Sequence, residues 1–121
     1  MESTASIPPV VKSLHDLIIA WVQHVDHIPR VHKHTLAARA TDALLDAQQH
    51  ILDGRVASKR YESIQMARAR MDFARYIWRI LVDIRAMPVK KLAHLSRLAV
   101  PIDKQLSGWE KSVREQFATS I

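Results

Sequence analysis

Apolar residues recur at three- and four-residue steps along most of the chain, which is the spacing of one buried face of an α-helix. The first stripe lies between Pro9 and Pro29 and predicts a helix over residues 9–26. A second, alanine-rich stripe predicts a helix over residues 35–53, which Gly54 should end in the left-handed conformation. The small alanine side chains should let a neighbouring helix approach this second helix closely.

The third predicted helix is the longest, from residue 57 or 58 to residue 86, with Pro88 behind it as a stop signal. Its two adjacent apolar rows are Ile64, Ala67, Met71, Ala74, Trp78 and Leu81, and Met66, Phe73, Ile77, Ile80, Ile84 and Met87. Together they are wider than one bundle core usually needs, so part of this surface is expected to face another subunit. Its polar row predicts two ion pairs one turn apart, Arg68 with Asp72 and Arg79 with Asp83.

The fourth predicted helix covers residues 89–117 and contains Pro101, whose missing N–H and bulky ring should kink or split it. We therefore expect two segments, over residues 89–99 and 101–117. Four helices joined by short connections favour an antiparallel up-down four-helix bundle. The fold class predicted is all-α, with one domain over residues 1–121.

Composition excludes several classes of function. The chain has two glycines and no cysteine, so it offers no thiolate metal site, no cysteine nucleophile and no disulfide. It also lacks a phosphate-binding glycine loop, a nucleophile elbow and a zinc-protease helix, so we expect no enzyme, no catalytic residue and no cofactor. The longest apolar run, Leu17–Val22, is too short to cross a bilayer, and we expect a cytoplasmic protein that does not enter membranes.

Seven histidines raise the question of a metal site. His24 and His27 lie three residues apart, and His32 and His34 flank a lysine in a predicted loop. Only Asp26 adds a carboxylate at a spacing typical of metal ligands. Polar loop histidines explain this pattern better than a site that binds a metal.

The net charge of +6 is unevenly distributed. Residues 1–60 contain seven basic and six acidic side chains, whereas residues 61–121 contain eleven and six. A pI near 10.1 suggests a polyanionic partner such as RNA or DNA, because clustered cations bind phosphates by releasing counterions. A solvated basic surface that aids solubility is the alternative.

An up-down bundle would gather many of these cations at one end. The connections between helices one and two and between helices three and four then lie side by side. That end would contain His27 and the candidate nucleic-acid-binding residues Arg30, His32, Lys33, His34, Arg85, Lys90 and Lys91. With no exposed aromatic surface apparent for base stacking, binding should depend little on sequence. A smaller basic group at the opposite end contains Arg55, Lys59 and Arg60.

Large apolar side chains on the predicted helix stripes are candidates for the core or an oligomer interface. This set contains Trp21, Phe73, Ile77, Trp78 and Trp109. The three tryptophans should be largely buried.

Three segments of the chain resemble the Avd-like four-helix bundle proteins. WVQHVDHIPRVHKH, Trp21 to His34, looks like that family's entry into helix two, and FARYIWRIL, Phe73 to Leu81, is similar to its third helix. IDKQLSGW, Ile102 to Trp109, resembles its Ile-Gly-x-x-Leu-Gly-Gly-Trp signature in helix four. The segments occur in the family's order, and the resemblance extends over about residues 10–114.

The resemblance implies a ring-like homopentamer that acts as accessory protein of a diversity-generating retroelement. Such a protein binds a reverse transcriptase and the template RNA or its cDNA during mutagenic copying. This chain departs from the family pattern at Asp103, where glycine is usual, and at Pro101 within a normally continuous helix. Related bundles are also encoded in ribosomal RNA intervening sequences, so a structural or protein-interaction bundle without a retroelement role is the alternative function.

Overall fold

The computed structural model describes residues 8–120, and the side chains as far as residue 118. Every regular element in this part of the chain is helical. The helices are α1 (Pro9–Val25), α2 (Arg30–Lys33), α3 (Leu36–Asp53), α4 (Arg60–Asp83) and α5 (Val89–Ser120), and a 3-10 turn (Ala57–Lys59) precedes α4. The four long helices confirm the all-α prediction and begin or end within a few residues of the predicted bounds.

The long helices form an up-down four-helix bundle. Each packs on the next along the chain, α1 on α3, α3 on α4 and α4 on α5, and α5 closes the bundle against α1. The connections between consecutive long helices are short, so neighbours run antiparallel. The α1–α3 and α4–α5 connections therefore lie at one end of the bundle, and the α3–α4 connection lies at the other.

One hydrophobic core runs through all four long helices. At its centre Trp21 of α1 and Trp78 of α4 are fully buried, with their ring centroids 5.7 Å apart. The Trp21 Nε1–H donates a hydrogen bond to the Thr41 hydroxyl of α3 at 2.9 Å. Burying an indole removes a large apolar surface from water, so this pair is a main source of the bundle's stability.

Helices α3 and α4 make the most extensive contact in the bundle. Their facing stripes consist largely of small side chains, which let the backbones approach as the alanine pattern predicted. The fully buried alanines are Ala37, Ala40, Ala43 and Ala47 on α3 and Ala67 and Ala74 on α4.

The prediction that Gly54 adopts the left-handed conformation is wrong. Gly54 has a right-handed helical backbone with φ −67°, and its N–H donates to the carbonyls of His50 and Ile51. A Cβ at this position would lie 3.1 Å from Cη2 of Trp109, closer than ordinary van der Waals contact. Glycine fits here because α5 places an indole against the backbone, and a Cβ would require that indole to move by a few tenths of an ångström. The periodicity of α3 alone does not reveal this contact.

The left-handed residue is Arg85, at the C-terminal end of α4, with φ 62°. The Ala86 N–H donates to the Leu81 carbonyl and the Arg85 N–H donates to the Val82 carbonyl, which together form a Schellman motif. This motif ends α4 at Asp83, three residues before the predicted end. Glycine is the usual residue at the left-handed position, so a bulky cation there carries backbone strain.

The prediction that Pro101 splits the fourth helix is also wrong, because α5 is continuous from Val89 to Ser120. Pro101 is exposed, so water can hydrogen-bond the Arg97 carbonyl that loses its N–H partner. Ala99 and Ile102 on either side are buried in the core and hold the helix in place. Packing here offsets the local cost of proline.

Charged residues of α4 pair mainly across the bundle rather than along their own helix. Arg68 pairs with Glu110 of α5, so the predicted pair of Arg68 with Asp72 is wrong. Glu110 is a buried carboxylate that has lost its hydration, so it needs a cation nearby. Asp72 is exposed and hydrated, and Arg68 therefore pairs with Glu110 instead. The Arg79–Asp83 pair is present, with its charged atoms 3.6 Å apart.

Asp103, the position where the resembled family has glycine, pairs with Arg75 of α4. Arg75 also donates to Asp72 at 2.9 Å, so one guanidinium connects two carboxylates from two helices. The aspartate therefore adds a polar link between α4 and α5 rather than disturbing their packing.

The two apolar rows predicted on the third helix have different surroundings in α4. All six residues of the first row are fully buried. In the second row, Ile77 and Met87 belong to the core, Phe73 and Ile80 are half-buried, and Met66 and Ile84 are exposed. Most of the second row is thus covered within one chain, and the parts left uncovered are Met66, 43% exposed, and Ile84, 46% exposed.

Candidate nucleic-acid interface

The cations after α1 are carried by a single helical turn, α2, and not by the loop that the sequence predicted. Pro29 precedes the turn with φ −55° and ψ 141°, and the His32 N–H donates to its carbonyl. Proline favours this geometry because its φ is already fixed for a helix start. Arg30 and His34 are exposed, whereas His32 and Lys33 are half-buried. Together with Ile28, which is buried in the core, this turn holds four basic or titratable side chains on the bundle end.

A second basic group lines a cleft of about 440 Å³ between the end of α1 and the start of α5. The residues that line it are His24, Pro88, Lys90, Lys91, His94 and Arg97. Five of the six are cationic or can become so, and no carboxylate contributes to the lining. The walls of this cleft are formed mainly by the carbon atoms of these side chains, so their charges act on a phosphate or another anion at the rim of the cleft.

The structure thus brings Lys90 and Lys91 together with His24 and adds two residues that the sequence interpretation missed, His94 and Arg97. On α5, positions 90, 94 and 97 follow the spacing of one helix face. That spacing was visible in the sequence and could have identified both residues. Arg85 is exposed beside Pro88 in a neighbouring cleft, so it belongs to the same end but not to this lining.

The cations of this end differ from those of the bundle middle in their pairing. Arginines of the middle, such as Arg68, Arg70 and Arg75, have carboxylate partners. At the end, no carboxylate within residues 8–120 pairs with any of the six permanently charged side chains. These are Arg30, Lys33, Arg85, Lys90, Lys91 and Arg97. We call this set, together with His24 and His94, the basic end.

His24 is a partly buried histidine at the basic end, and its pKa is lowered by its surroundings. Burial lowers the pKa of this histidine below its ordinary value of 6.5, and the charges of Lys91 and His27 lower it further. The His24 and His27 rings lie 5.5 Å apart, and the His24 Nε2 has no hydrogen-bond partner in the part of the chain described. Its surroundings therefore favour the neutral form of His24.

This pKa predicts how stability depends on pH. As the pH falls below 6.5, the unfolded chain protonates His24 while the folded chain resists, so the free energy of unfolding should decrease. The loss begins near the ordinary pKa and ends once the pH has passed the lower pKa of the folded state. Urea denaturation at a series of pH values should show this loss for the parent and a smaller one for His24→Gln.

The control for that measurement is His15→Gln, which replaces an exposed histidine of the same helix. It should keep the pH dependence that His24 produces. Equal pH dependence in the parent and in His24→Gln would show that His24 is not the titrating group.

The aromatic and apolar candidates are placed as follows. Trp21, Trp78 and Ile77 lie in the core, and Phe73 and Trp109 are half-buried against it. The expectation of no exposed aromatic surface is wrong, because Tyr76 on α4 is 61% exposed. It lies seven residues, or about two helical turns, before the end of α4. A base could stack on it, although α4 places it outside the basic cleft.

Among residues 8–120, no group of three or more histidine or acidic side chains is arranged to hold a metal ion. No helix in the same range is long and apolar enough to cross a membrane. Comparisons with protein-family models, with curated proteins and with solved structures found no match to this chain.

Proposed function

We propose that the protein is a non-enzymatic scaffold that binds single-stranded nucleic acid through its basic end. The observation that carries the proposal is the cleft lined by His24, Lys90, Lys91, His94 and Arg97, with no carboxylate in its lining. Unpaired cations favour the binding of a polyanion, because each contact with a phosphate releases condensed counterions. Arg85 adds to this support, since a cation occupies a backbone position where glycine would relieve strain.

Single strands suit the basic end better than a duplex. Its cations are distributed between a four-residue helix and a cleft, and neither is a long exposed helix that could enter a major groove. The flexible sugar-phosphate backbone of a single strand can follow such an uneven surface. The protein would then contact phosphates rather than base edges. We therefore propose binding that depends little on sequence.

The experiment is a titration of fluorescently labelled single-stranded RNA and DNA with the protein, read by anisotropy at several salt concentrations. The proposal expects binding at low salt, and log K should decline against log salt by about 0.7 for each contacted phosphate. No binding to either strand at low salt would favour the protein-interaction bundle instead.

We further propose that this binding serves a diversity-generating retroelement, with a reverse transcriptase as protein partner and the template RNA or its cDNA as nucleic-acid partner. The support is the resemblance of three segments, in order, to the Avd-like bundles, together with the unpaired cations described above. A reverse-transcriptase gene and a template repeat beside the gene for this protein would support the retroelement role. Their absence would favour a bundle of the ribosomal RNA intervening-sequence type.

Assembly into a ring, with five subunits, belongs to the same proposal. Its support in the folded chain is the exposed apolar surface of α4, where Met66 is 43% exposed. Nearby, Arg39 and Arg70 stack on the Phe73 ring, with guanidinium carbons 5.5 and 5.1 Å from its centroid. Such mixed apolar and guanidinium surfaces are typical of protein interfaces.

Light scattering at micromolar concentration should therefore report a mass of five times the 13.8 kDa chain. Met66→Glu places a charge on the exposed apolar surface and should lower that mass without unfolding the bundle. Met66→Leu is the matched control and should leave the mass unchanged. A monomeric parent would contradict the ring.

A further inference from the structure

A second cleft lies at the opposite end of the bundle and is unlike the basic end in composition. Its volume is about 450 Å³, and it is lined by Pro8, Pro9, Val10, Arg55, Arg60, Gln105 and Trp109. The cleft thus combines an apolar wall from the start of α1, two guanidinium groups from the α3–α4 connection and an indole from α5. Its size is within the range of sites that bind small organic molecules.

Hydrogen bonds to backbone carbonyls hold the two arginines in place, and no ion pair among the described residues neutralises them. The Arg60 Nε–H donates to the Gly54 carbonyl at 2.7 Å, and its Nη2 donates to the Arg55 carbonyl at 2.9 Å. The Arg55 Nε–H donates to the Leu52 carbonyl at 3.0 Å. Neither guanidinium pairs with a carboxylate among the residues that the structure describes. Each keeps further N–H groups that can donate to an anion.

The indole of Trp109 is positioned from two sides. On one side it lies against Gly54, where a Cβ would be 3.1 Å from its Cη2. The Arg60 guanidinium carbon lies 5.7 Å from the centroid of its ring, within the range of a cation–π contact. Trp109 remains half-buried, whereas Trp21 and Trp78 are fully buried. It is therefore the tryptophan that a small molecule in this cleft can reach.

Gln105 contributes a polar group of known orientation. Its Nε2 donates to the Ser13 hydroxyl of α1 at 3.0 Å, which leaves its Oε1 as a hydrogen-bond acceptor. An acceptor beside an indole suits a planar ring that carries an amino group. The two guanidinium groups suit a dianion.

We propose that this cleft binds a small aromatic phosphate of mononucleotide size. Arg55 and Arg60 would hold the phosphate, and the ring would lie against Trp109 and the apolar wall formed by Pro8, Pro9 and Val10. A bare inorganic anion would use only the arginines and leave the apolar lining in water. The site is separate from the basic end and does not rest on the nucleic-acid proposal.

Adenosine monophosphate is the probe for this site, with calorimetry and tryptophan emission as readouts. The full chain should bind it with a dissociation constant below about 1 mM and change the emission of Trp109. Adenosine and inorganic phosphate should each bind at least about tenfold more weakly, since each supplies half of the contacts. Inorganic phosphate binding as tightly as the nucleotide, or no nucleotide binding, would overturn the proposal.

Arg55→Gln is the main variant, because Arg55 makes a single backbone hydrogen bond and its loss should leave the fold intact. It should weaken nucleotide binding by about tenfold or more. Lys59→Gln removes the same charge from the adjacent turn, outside the cleft lining, and should bind within about twofold of the parent. Equal losses of affinity in the two variants would show that net charge, and not the cleft, is responsible.

Two further variants distinguish nucleotide binding in this cleft from nucleotide binding elsewhere on the chain. Trp109→Phe should abolish the change in tryptophan emission and weaken the binding of the nucleotide. Calorimetry should still detect the binding of inorganic phosphate at the parental affinity. The variant with Arg30, Lys33, Lys90 and Lys91 changed to Gln should bind the nucleotide as the parent does, because those cations lie at the other end. Loss of nucleotide binding in that variant would place the ligand at the basic end and overturn the proposal.

Discussion

Replacing Trp78 by Ala is expected to lower the free energy of unfolding by about 3–5 kcal/mol. The side chain is fully buried and packs on Trp21, so its removal leaves a cavity that the surrounding helices cannot fill. Small domains are stable by only about 5–15 kcal/mol, and the variant should lose a large part of that margin. Urea denaturation followed by far-UV circular dichroism, at one fixed protein concentration, measures the effect.

Trp78→Phe is the matched control, since it keeps an aromatic ring in the core. The Trp78 Nε1 has no hydrogen-bond partner among the described residues, so phenylalanine removes no bond there. Trp21→Phe, in contrast, removes the hydrogen bond that the Trp21 Nε1–H donates to the Thr41 hydroxyl, and this hydroxyl then accepts no hydrogen bond from the core. We expect Trp78→Phe to cost less than Trp21→Phe. A cost below about 1 kcal/mol for Trp78→Ala would contradict the burial of this pair.

Changing Arg30, Lys33, Lys90 and Lys91 together to Gln is expected to weaken binding of single-stranded RNA by about 100-fold at low salt. That loss corresponds to about 0.7 kcal/mol for each of four phosphate contacts. Arg30 and Lys90 are exposed, and glutamine can replace the half-buried Lys33 and Lys91 without leaving a buried charge. The variant should therefore fold as the parent does, which circular dichroism verifies before the titration.

The salt dependence of the variant separates lost contacts from a general loss of charge. Each lost contact to a single-strand phosphate should reduce the slope of log K against log salt by about 0.7. Four lost contacts should therefore flatten the slope by roughly 3. A variant that binds as tightly as the parent with an unchanged slope would show that these four residues are not the interface.

The bundle itself could be predicted because each helix has a strong local signal. Apolar spacing identified the buried faces, and Pro9, Pro29 and Pro88 marked helix boundaries to within a few residues. Short connections then favoured antiparallel neighbours, and the up-down topology is confirmed. These features depend on residues near one another along the chain.

What could not be predicted depends on contacts between distant residues. Gly54 is explained by Trp109, more than fifty positions later, and Arg68 pairs with Glu110 rather than with its own helix. Pro101 is tolerated because its neighbours are anchored in the core. At each of these positions the local sequence favours one conformation or ion pair, and packing between helices stabilises another.

The candidate sites divide in the same way. Lys90 and Lys91 could be identified from the sequence because the topology assigns them to one end, whereas their partner His24 was set aside as a polar loop residue. Arg55 and Arg60 were noted as a basic group, but the indole and the apolar wall that complete their cleft come from α5 and α1. The helical period predicts which side chains share one face of a helix. It does not predict which side chains from different helices meet in a cleft.

The most direct test of the nucleic-acid proposal compares two variants of equal charge in one RNA titration. In the first variant, Arg30, Lys33, Lys90 and Lys91 are changed to Gln. In the second, four exposed cations outside the basic end are changed to Gln, and these are Lys59, Arg79, Lys104 and Lys111. Our account predicts that the first loses affinity and salt slope while the second stays close to the parent in both. Equal losses in the two variants would contradict it, because binding would then follow net charge and not the basic end.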